Sequence, residues 1–384
     1  MAETERTDAI GGLHTPALLV DLAAFDANSA RMRESLVRAG GAVLRPHLKT
    51  VKSVPAALRM LGGTDAPITV STLLEAEQFA GAGFRDILYA VGIAPAKLGR
   101  VWELRGRGVD LSVILDNIES ARAVARSAQA SGDPIPVLIE IDSDGHRAGV
   151  RLDDSALLLA IAEALRAGGA ELRGVMTHAG GSYAARSGEE IRAAAARERD
   201  AVLSAASILR GNGFAAPVVS VGSTPTALYP AGLAGVTEVR AGVYPFMDLV
   251  MAGLGVCRLE DIALSVLATV IGHQRDKGWI LVDAGWMAMS RDRGTASQVV
   301  DQGYGVVCEA DGRPYPDLIM ASANQEHGIL SVRPGSAAGL PDLPVGSLLR
   351  ILPNHACATA AQFGGYHVLE GGAAVDHWPR FNGW

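Results

Sequence analysis

Polar and glycine-rich residues follow several short apolar runs in the first two-thirds of the chain, at the points where those runs end. Lys49, Arg147 and His178 each follow such a run, and two turns, Gly222-Ser223-Thr224 and Gly242-Val243-Tyr244, complete the series. If the runs are strands of a parallel barrel, residues at their carboxyl ends belong to the rim where barrel enzymes place their active sites. These residues are therefore the first candidates for chemistry.

The two turns are small and offer several backbone N–H groups. Unpaired amides of this kind bind a phosphate without the help of a cation, and barrels commonly bind phosphate after their seventh and eighth strands. Taken alone, Gly222-Ser223-Thr224 is better explained as a tight turn without a ligand. Taken together with Gly242 and Tyr244, the phosphate site and the simple turn are equally well supported.

Lys49 is a candidate Schiff-base nucleophile, because a desolvated lysine can lose its charge and attack a carbonyl. A lysine whose charged end reaches solvent is the ordinary alternative. A phosphate site and a rim lysine in one barrel indicate pyridoxal 5′-phosphate (PLP), held by its phosphate and its aldehyde. Arg147 would then contact the pyridine nitrogen, unless it is a surface arginine paired with Asp144. His178 either packs against the cofactor ring or is a strand-end histidine with ordinary partners.

A second candidate group follows the apolar run at 348–352, near the carboxyl end of the chain. Positions i and i+2 of an extended segment point to the same side, so His355 and Cys357 can both reach one metal ion. Imidazole with thiolate favours Zn²⁺, and two protein ligands leave positions open for substrate and water. A structural pair without a metal is the alternative. Residues 324–328 could add acid/base capacity or form an exposed turn.

The elements that position these residues alternate between strand and helix patterns. Helical patterns such as 23–39, 117–130, 155–167 and 189–212 separate eight apolar runs, which lie at 43–45, 68–71, 87–91, 111–116, 137–142, 172–177, 218–221 and 237–240. Apolar strands separated by helices predict a parallel sheet buried on both faces. Eight such units predict a (β/α)8 barrel, with an open doubly wound sheet as the alternative.

The pattern changes in the last third of the chain. Runs such as 262–271, 279–283 and 348–352 are separated by Gly, Pro and Asp turns, with little helical periodicity between them. This predicts a smaller, mainly antiparallel β domain, to which the early run 17–22 can belong. We therefore expect a barrel over residues 23–250 and a β domain formed by residues 1–22 with 251–384.

The composition excludes several classes of function. The chain has 384 residues, 49% of them hydrophobic and 20% charged, which excludes a disordered chain. The formal net charge is −7 and no basic block is present, so a nucleic-acid partner is not expected. No apolar run is long enough for a membrane span, and residues 1–12 lack the pattern of a secretory signal. Three widely spaced cysteines do not suggest a disulfide framework. We therefore expect a cytoplasmic protein with a small-molecule substrate.

Nine stretches of the sequence resemble the fold-type III PLP enzymes of the D-serine dehydratase and D-threonine aldolase group. They run in order through nearly the whole chain: RPHLKT (45–50), VSTLLEAEQF (70–79), IEIDSDGHRAGV (139–150), THAGGSY (177–183), VSVGSTPTAL (219–228), TEVRAGVY (237–244), VDAGWMAMSRDRG (282–294), NQEHGIL (324–330) and LPNHACAT (352–359). The resemblance implies an α/β fold: an alanine-racemase-like (β/α)8 barrel with a C-terminal, mainly antiparallel β domain. It also implies a homodimer.

The same resemblance implies roles for the residues singled out above. Lys49 would be the Schiff-base lysine, and His178 and Tyr183 would lie near the ring and the substrate as further catalytic residues. The other implied positions bind cofactor and metal: the pyridine nitrogen by Arg147, the phosphate by Gly222, Ser223, Thr224, Gly242, Val243 and Tyr244, and a divalent metal (Zn²⁺, with Mn²⁺, Co²⁺ or Mg²⁺ as alternatives) by His355 and Cys357.

The implied activity is that of a PLP- and metal-dependent ammonia-lyase, which dehydrates D-3-hydroxy amino acids. The aldolase branch typically carries Asp at the position of Cys357 and a Gly-Gly-Gly-Thr turn where this chain has Gly222-Ser223-Thr224. Both differences favour a dehydratase, with D-threo-3-hydroxyaspartate converted to oxaloacetate and ammonia. D-Serine dehydration and retro-aldol cleavage to glycine and an aldehyde are the alternatives. A racemase, a PLP carrier protein and a PLP-free phosphate-binding barrel enzyme fit the residues less well.

Overall fold

The computed structural model describes residues 8–384 and divides into two compact units. One unit is Arg31–Gly242 with Gly383–Trp384, and the other consists of the described residues up to Ala30 with Val243–Asn382. Residues 1–7 of the β domain that we predicted, which also begin the polar segment 1–12, lie outside the described range. Within that range, no helix has both the length and the apolar character that crossing a bilayer requires.

Strands and helices alternate through most of the described chain. The strands of residues 8–384 are, in chain order, β1 (Asp8–Ala9), β2 (Ala17–Asp21), β3 (Val43–Leu44), β4 (Ile68–Val70), β5 (Asp86–Gly92), β6 (Asp110–Leu115), β7 (Pro136–Asp142), β8 (Val150–Arg151), β9 (Glu171–Met176), β10 (Val218–Val221), β11 (Glu238–Val239), β12 (Leu264–Gln274), β13 (Trp279–Val282), β14 (Gly305–Cys308), β15 (Pro314–Ala323), β16 (Gly328–Val332), β17 (Leu348–Pro353), β18 (Gly365–Glu370) and β19 (Ala373–Pro379). The α-helices are α1 (Leu22–Ala39), α2 (Val54–Leu61), α3 (Leu73–Gly81), α4 (Leu98–Gly106), α5 (Ile118–Ser131), α6 (Ser155–Ala167), α7 (Gly188–Gly211), α8 (Thr224–Leu228), α9 (Leu249–Gly253), α10 (Trp286–Met289) and α11 (Ala356–Ala360).

The unit that starts at Arg31 is a parallel barrel. Eight of its strands are neighbours in chain order, from β4 through β5, β6, β7, β9, β10 and β11 to β3, and every pair is parallel. The short β8 pairs only with β7. The ring closes where His47 and Thr69 form a parallel bridge. Across it, Leu48 N–H donates to the Thr69 carbonyl and Thr69 N–H donates to the Pro46 carbonyl, both at 2.8 Å. The predicted (β/α)8 barrel is confirmed, and the open sheet is wrong.

Local signals set the barrel's elements. Each predicted strand and helix of the barrel is present with both ends within one residue of the prediction. Buried apolar strands alternate with capped helices, as a parallel sheet covered on both faces requires. The Thr72 and Asn117 side chains accept the amides of Glu75 and Ser120, which the first turns of α3 and α5 leave unpaired. α5 ends at Gly132, whose φ of 73° is left-handed and suits glycine.

The other unit is built on a ten-stranded, mainly antiparallel sheet. Its order is β1-β19-β18-β2-β12-β13-β16-β15-β14-β17, and β17 pairs again with β12, so the last six strands close on themselves. The early run at 17–22 forms β2, which lies between β12 and β18 in this sheet, as the sequence suggested. The segment carrying His355 and Cys357 leaves this closed sheet at the end of β17.

Candidate active site

Lys49 lies in a turn immediately after the bridge that closes the barrel. The turn is tightened by the Lys52 N–H, which donates to the Leu48 carbonyl at 2.8 Å. The Lys49 side chain is exposed. The residues of this chain therefore do not desolvate it, contrary to what the sequence suggested for a Schiff-base lysine. Lys52 differs, because its Nζ lies 3.3 Å from the buried carboxylate of Glu75. In the described part of the chain, no carboxylate makes such an ion pair with Lys49, which leaves its amine available for chemistry.

His47, two residues before Lys49, is a site residue that the sequence did not single out. Its ring lies near Ser71, with Nε2 3.5 Å from the Ser71 hydroxyl. Burial lowers the pKa of His47 well below its usual value, and nearby Lys49 and Arg240 lower it further. His47 is therefore a neutral imidazole at pH 7, as is expected of a histidine surrounded by cations.

His178 follows β9 and has a defined tautomer. Its Nδ1 lies 3.0 Å from the Gly222 carbonyl. Because a carbonyl only accepts hydrogen bonds, Nδ1 carries the proton and Nε2 presents a lone pair. Burial is the main cause that lowers the pKa of His178 to about 4, with Lys49 and Arg147 acting in the same direction. The Tyr183 ring is tilted against His178, with 6.2 Å between the ring centres.

The ends of β9 and β10 are tied together by Glu198, a buried carboxylate on α7 that the sequence also did not reveal. One of its oxygens, Oε1, accepts the amides of Ala179 at 3.1 Å and Gly222 at 2.8 Å. Burial raises the pKa of Glu198, while these hydrogen bonds oppose the shift. A single side chain thus fixes the positions of the residue after His178 and of the first residue in the predicted phosphate turn.

The turn Gly222-Ser223-Thr224 packs tightly against the next strand, and two of its amides are already used. A Cβ on Gly222 would lie 1.9 Å from the Arg240 carbonyl, so only glycine fits there. Gly222 N–H donates to Glu198, and Ser223 N–H donates to the Thr226 hydroxyl. These two amides are therefore not free to bind a phosphate, contrary to the sequence expectation of an amide nest. The Thr224 hydroxyl is buried and makes no hydrogen bond within residues 8–384, so it remains a candidate donor.

The second predicted phosphate turn begins close to the barrel's closing bridge. A Cβ placed on Gly242 would lie 3.0 Å from the His47 carbonyl, which leaves little room for a larger residue. Val243 and Tyr244 begin the other unit, and both are buried. Gly242 therefore connects this turn to the segment that carries Lys49.

Arg147 lies in the loop after β7, and its side chain is 60% exposed. Its nearest carboxylate is Glu140, at 3.9 Å. The alternative pairing with Asp144 is wrong, because the carboxylate oxygens of Asp144 accept the amides of His146 and Gly181 instead. Asp144 thereby holds the loop of Arg147 against the turn that follows His178, and the guanidinium remains largely solvated.

Residues far apart in the sequence thus converge on one rim of the barrel. The pKa values of His47 and His178 are both lowered first by burial and then by the same cations, Lys49, Arg147 and Arg240. Charges act strongly on one another only over short distances in a protein. The exposed side chains of Lys49 and Arg147 at this rim are suited to an anionic ligand, whereas nearby carboxylates, Glu238 first, offset the charge of Arg240.

In the other unit, His355 and Cys357 also come together, but for a different reason from the one we expected. His355 is extended, whereas Cys357 lies inside α11, so the alternation of an extended segment does not apply. Burial opposes protonation of the imidazole, yet hydrogen bonds to Asp292 and Cys357 raise the pKa of His355 to about 11. The Asp292 carboxylate lies 2.6 Å from His355 Nδ1. This leaves Nε2 as the ring nitrogen that could bind a metal ion.

Buried polar groups hold the segment of His355 in place. Asp248 accepts the Ala356 amide at 3.0 Å, and the Asn354 side chain donates to the Gly303 carbonyl at 2.7 Å. In residues 8–384, no group of three or more His, Cys, Asp or Glu side chains is arranged to hold a metal ion. His355 and Cys357 therefore remain the two candidate metal ligands of this segment, and the Asp292 carboxylate orients the His355 ring.

Comparison with known proteins assigns the family. The family model described as "Alanine racemase, N-terminal domain" matches residues 20–249, and the model described as "Putative serine dehydratase domain" matches residues 263–369. The chain is 54% identical over 379 residues to the D-threo-3-hydroxyaspartate dehydratase of Delftia sp. (strain HT23), covering 98% of this chain and 100% of the relative. The chain belongs to the D-serine dehydratase group of fold-type III PLP enzymes.

Other members of the D-serine dehydratase group agree with this assignment. The D-serine dehydratase of Dictyostelium discoideum is 32% identical over 95% of this chain and 96% of its own length. A solved structure described as a metal-free form of a cysteine-to-alanine variant of D-threo-3-hydroxyaspartate dehydratase matches with a TM-score of 0.95 and 54% identity, over 98% of this chain and 100% of that one. The resemblance drawn from the nine sequence stretches is confirmed.

Two residues of the site, Glu198 and Asp292, could not be identified from the sequence because their partners are distant along the chain. Glu198 is 24 residues from Gly222, and Asp292 is 63 residues from His355. A carboxylate on a long helix gives no local signal of such a contact. A third residue, His47, could have been identified from the sequence, because it follows the same predicted strand as Lys49.

The lowered pKa of His178 makes the stability of the cofactor-free protein depend on pH. Unfolded His178 titrates near pH 6.5, while folded His178 resists protonation until about pH 4. The unfolded chain therefore binds more protons between these values, and the free energy of unfolding falls as the pH decreases through this window. We expect His178→Gln, which carries no titratable group at this position, to reduce that loss by up to about 3 kcal/mol.

Urea unfolding of the cofactor-free wild type and His178→Gln at pH 7, 5.5 and 4 measures this difference directly. Other titrating groups are common to both proteins and cancel in the comparison. An identical pH dependence of the two proteins would show that His178 is not held neutral by its surroundings.

Proposed function

We propose that this protein is a PLP- and divalent-metal-dependent ammonia-lyase that dehydrates D-3-hydroxy amino acids, with D-threo-3-hydroxyaspartate as its preferred substrate. The products would be oxaloacetate and ammonia. The observation that carries the proposal is the pairing of His355 with Cys357, oriented by Asp292, in a chain whose barrel rim presents Lys49 with no ion-pair partner among residues 8–384. A PLP enzyme that must expel hydroxide needs both a base and help for its leaving group.

The residues of the barrel rim fit PLP. Thr224 contributes a buried hydroxyl without a partner among the described residues, which suits a phosphate oxygen. Gly222 lets its turn pack directly against the Arg240 backbone, because a Cβ there would meet the Arg240 carbonyl. Lys49 offers an exposed amine, and the largely exposed cation Arg147 suits an anionic cofactor. Gly242, Ser223, Val243 and Tyr244 are proposed as further phosphate-side residues because they flank these groups in sequence.

When bound, PLP would supply a sink for the electron pair left at Cα, and a divalent cation would supply a Lewis acid for the departing hydroxide. Lys49 Nζ takes the proton from Cα as a general base. Elimination releases water, and hydrolysis of the resulting enamino acid gives ammonia and the 2-oxo acid. The reaction therefore needs no oxidant or second substrate.

Arg147 and His178 set the electronic character of the site. A guanidinium has only donors, so Arg147 can contact the pyridine nitrogen only where that nitrogen carries no proton. The ring is then a weaker electron sink, and assistance to the leaving group matters more. His178 is neutral, with Nδ1–H donated to Gly222, so it adds no charge beside the ring. Tyr183, tilted against His178, is proposed to complete the substrate side.

His355 and Cys357 fit a borderline cation, and Zn²⁺ is proposed with Mn²⁺, Co²⁺ and Mg²⁺ as alternatives. A neutral imidazole and a thiolate are ligands that Zn²⁺ prefers, and two protein ligands leave coordination positions open. A reducing compartment keeps a metal-binding thiol unoxidised, so we place the enzyme in the cytoplasm. We also propose a homodimer, on the strength of the family alone.

Retro-aldol cleavage is the second candidate function, since the same cofactor and a metal can support it. There the metal would help to deprotonate the 3-hydroxyl rather than to expel it. The thiolate of Cys357, in the place where aldolases of the group typically carry Asp, favours elimination. D-Serine would be dehydrated by the same route, because its 3-hydroxyl occupies the same position relative to Cα.

Product analysis separates these reactions. With D-threo-3-hydroxyaspartate, the enzyme loaded with PLP and Zn²⁺ is expected to form ammonia and oxaloacetate in equal amounts. Retro-aldol cleavage would form glycine and glyoxylate instead. Ammonia, the oxo acids and glycine are measured in the same reaction, with D-serine and D-threonine as parallel substrates. Glycine as the main nitrogen product would contradict the proposed dehydratase.

The contact between Asp292 and His355 predicts a weaker metal site when it is lost. Removing a carboxylate that orients a metal-binding histidine typically costs about 10–100-fold in metal affinity. We expect Asp292→Ala to show a loss of this size for Zn²⁺ in equilibrium dialysis, whereas Asp292→Asn, which still offers an acceptor to Nδ1, loses less.

The matched control for this measurement is Asp311→Ala, which removes an exposed aspartate that pairs with Arg313 within its own hairpin. Its Zn²⁺ affinity should equal that of the wild type. Equal Zn²⁺ affinity of Asp292→Ala and the wild type would contradict the orienting role of Asp292.

A further inference from the structure

Two histidines face each other across the last hairpin of the chain, apart from every residue used so far. His367 on β18 is directly opposite His377 on β19 in the antiparallel register. Their ring centres are 5.1 Å apart, and the ring planes are inclined at 59°. His367 is half-buried and His377 is exposed, so the pair is open to solvent on one side.

The ring nitrogens of this pair are unused by the protein. Three other histidines commit a ring nitrogen to a carbonyl or carboxylate: His178 to Gly222, His273 to Leu343 and His355 to Asp292. Within residues 8–384, no hydrogen bond reaches a ring nitrogen of His367 or His377. Two adjacent imidazoles without partners therefore offer their lone pairs to a common ligand.

The surroundings hold the ring of His377 beside His367. A Cβ on Gly365, two residues before His367 and on the same face of β18, would lie 2.4 Å from His377 Nε2. The absence of a side chain at Gly365 thus leaves the space that the ring of His377 occupies. The nearest carboxylate along the chain, Asp376, is engaged by the His377 amide and the Trp378 indole, at 2.7 and 2.8 Å. Its two oxygens face these donors on its own strand, so Asp376 is not counted among the ligands.

We propose that His367 and His377 form a second divalent-metal site, separate from His355 and Cys357. Two imidazoles bound side by side to one ion, with metal–nitrogen bonds of about 2.0–2.1 Å, bring their ring centres to about 5 Å. The observed separation of 5.1 Å matches this arrangement. Imidazole ligands select borderline ions such as Zn²⁺, Cu²⁺ and Ni²⁺ over Mg²⁺ and Ca²⁺, which prefer oxygen.

The electrostatics of the pair agree with a ligand role. Burial and the neighbouring His377 lower the pKa of His367, so its imidazole is neutral at pH 7. A metal ion needs the neutral form, which the lowered pKa of His367 favours. With two protein ligands and no carboxylate, water would fill the remaining positions. The site is thus suited to reversible loading at elevated metal concentration.

Equilibrium dialysis of the PLP-loaded enzyme against Zn²⁺, with Mg²⁺ in excess and metal content measured by mass spectrometry, tests the proposal. We expect about two Zn²⁺ per chain for the wild type and about one for His377→Asn or His367→Asn. Gly365→Ala, which crowds the His377 ring but removes no ligand, should weaken the same site. The control His14→Asn removes an exposed histidine elsewhere and should bind as the wild type does.

The two sites are distinguished by a third variant, His355→Asn. It should lose one Zn²⁺ together with ammonia release, whereas His377→Asn should lose one Zn²⁺ and keep ammonia release. If His355 and Cys357 do not bind a metal ion, His355→Asn will bind as much Zn²⁺ as the wild type. The loss of one Zn²⁺ from His377→Asn would still be expected in that case. Wild-type Zn²⁺ content in both His367→Asn and His377→Asn, with unchanged melting temperature in metal-free buffer, would overturn the second site.

Discussion

Parallel pairing of eight neighbouring strands is the constraint on which the barrel site depends. In such a ring every strand ends at the same rim, so residues separated by more than a hundred positions in sequence must approach one another. Lys49, Arg147 and His178 all follow strands that end at this rim, and His178 is held there by its hydrogen bond to the Gly222 carbonyl. The closing bridge between His47 and Thr69 is decisive, because it places the segment of Lys49 in the ring.

Buried charges make this rim rigid. Arg240 and Glu198 are both almost fully buried, and burial moves the pKa of each towards its neutral form. Ionised groups of this kind are tolerated only when their hydrogen bonds are satisfied. Glu198 meets that condition with two backbone amides, which belong to the loops after β9 and β10. The same bonds that satisfy the charge therefore position His178 and the turn at Gly222.

The sequence predicted the elements of the barrel well because its signals there are local. Alternating apolar strands and capped helices need no knowledge of distant contacts, and the residues at strand ends followed from strand order. The geometry of His355 and Cys357 was predicted for the wrong reason, since α11 begins at Ala356, immediately after His355. Asp292 could not be predicted, because its bond to His355 arises only when two loops of the β unit pack. The use of the Gly222 amide by Glu198 was hidden for the same reason.

In the proposed function, Lys49 is the residue that holds the cofactor. The chain has only four lysines, Lys49, Lys52, Lys97 and Lys277. Borohydride reduction of the PLP-loaded enzyme, followed by peptide mapping, identifies the modified lysine directly. The account predicts a pyridoxyl group on Lys49 alone. Modification of Lys52, the neighbour paired with Glu75, or of either distant lysine would contradict it.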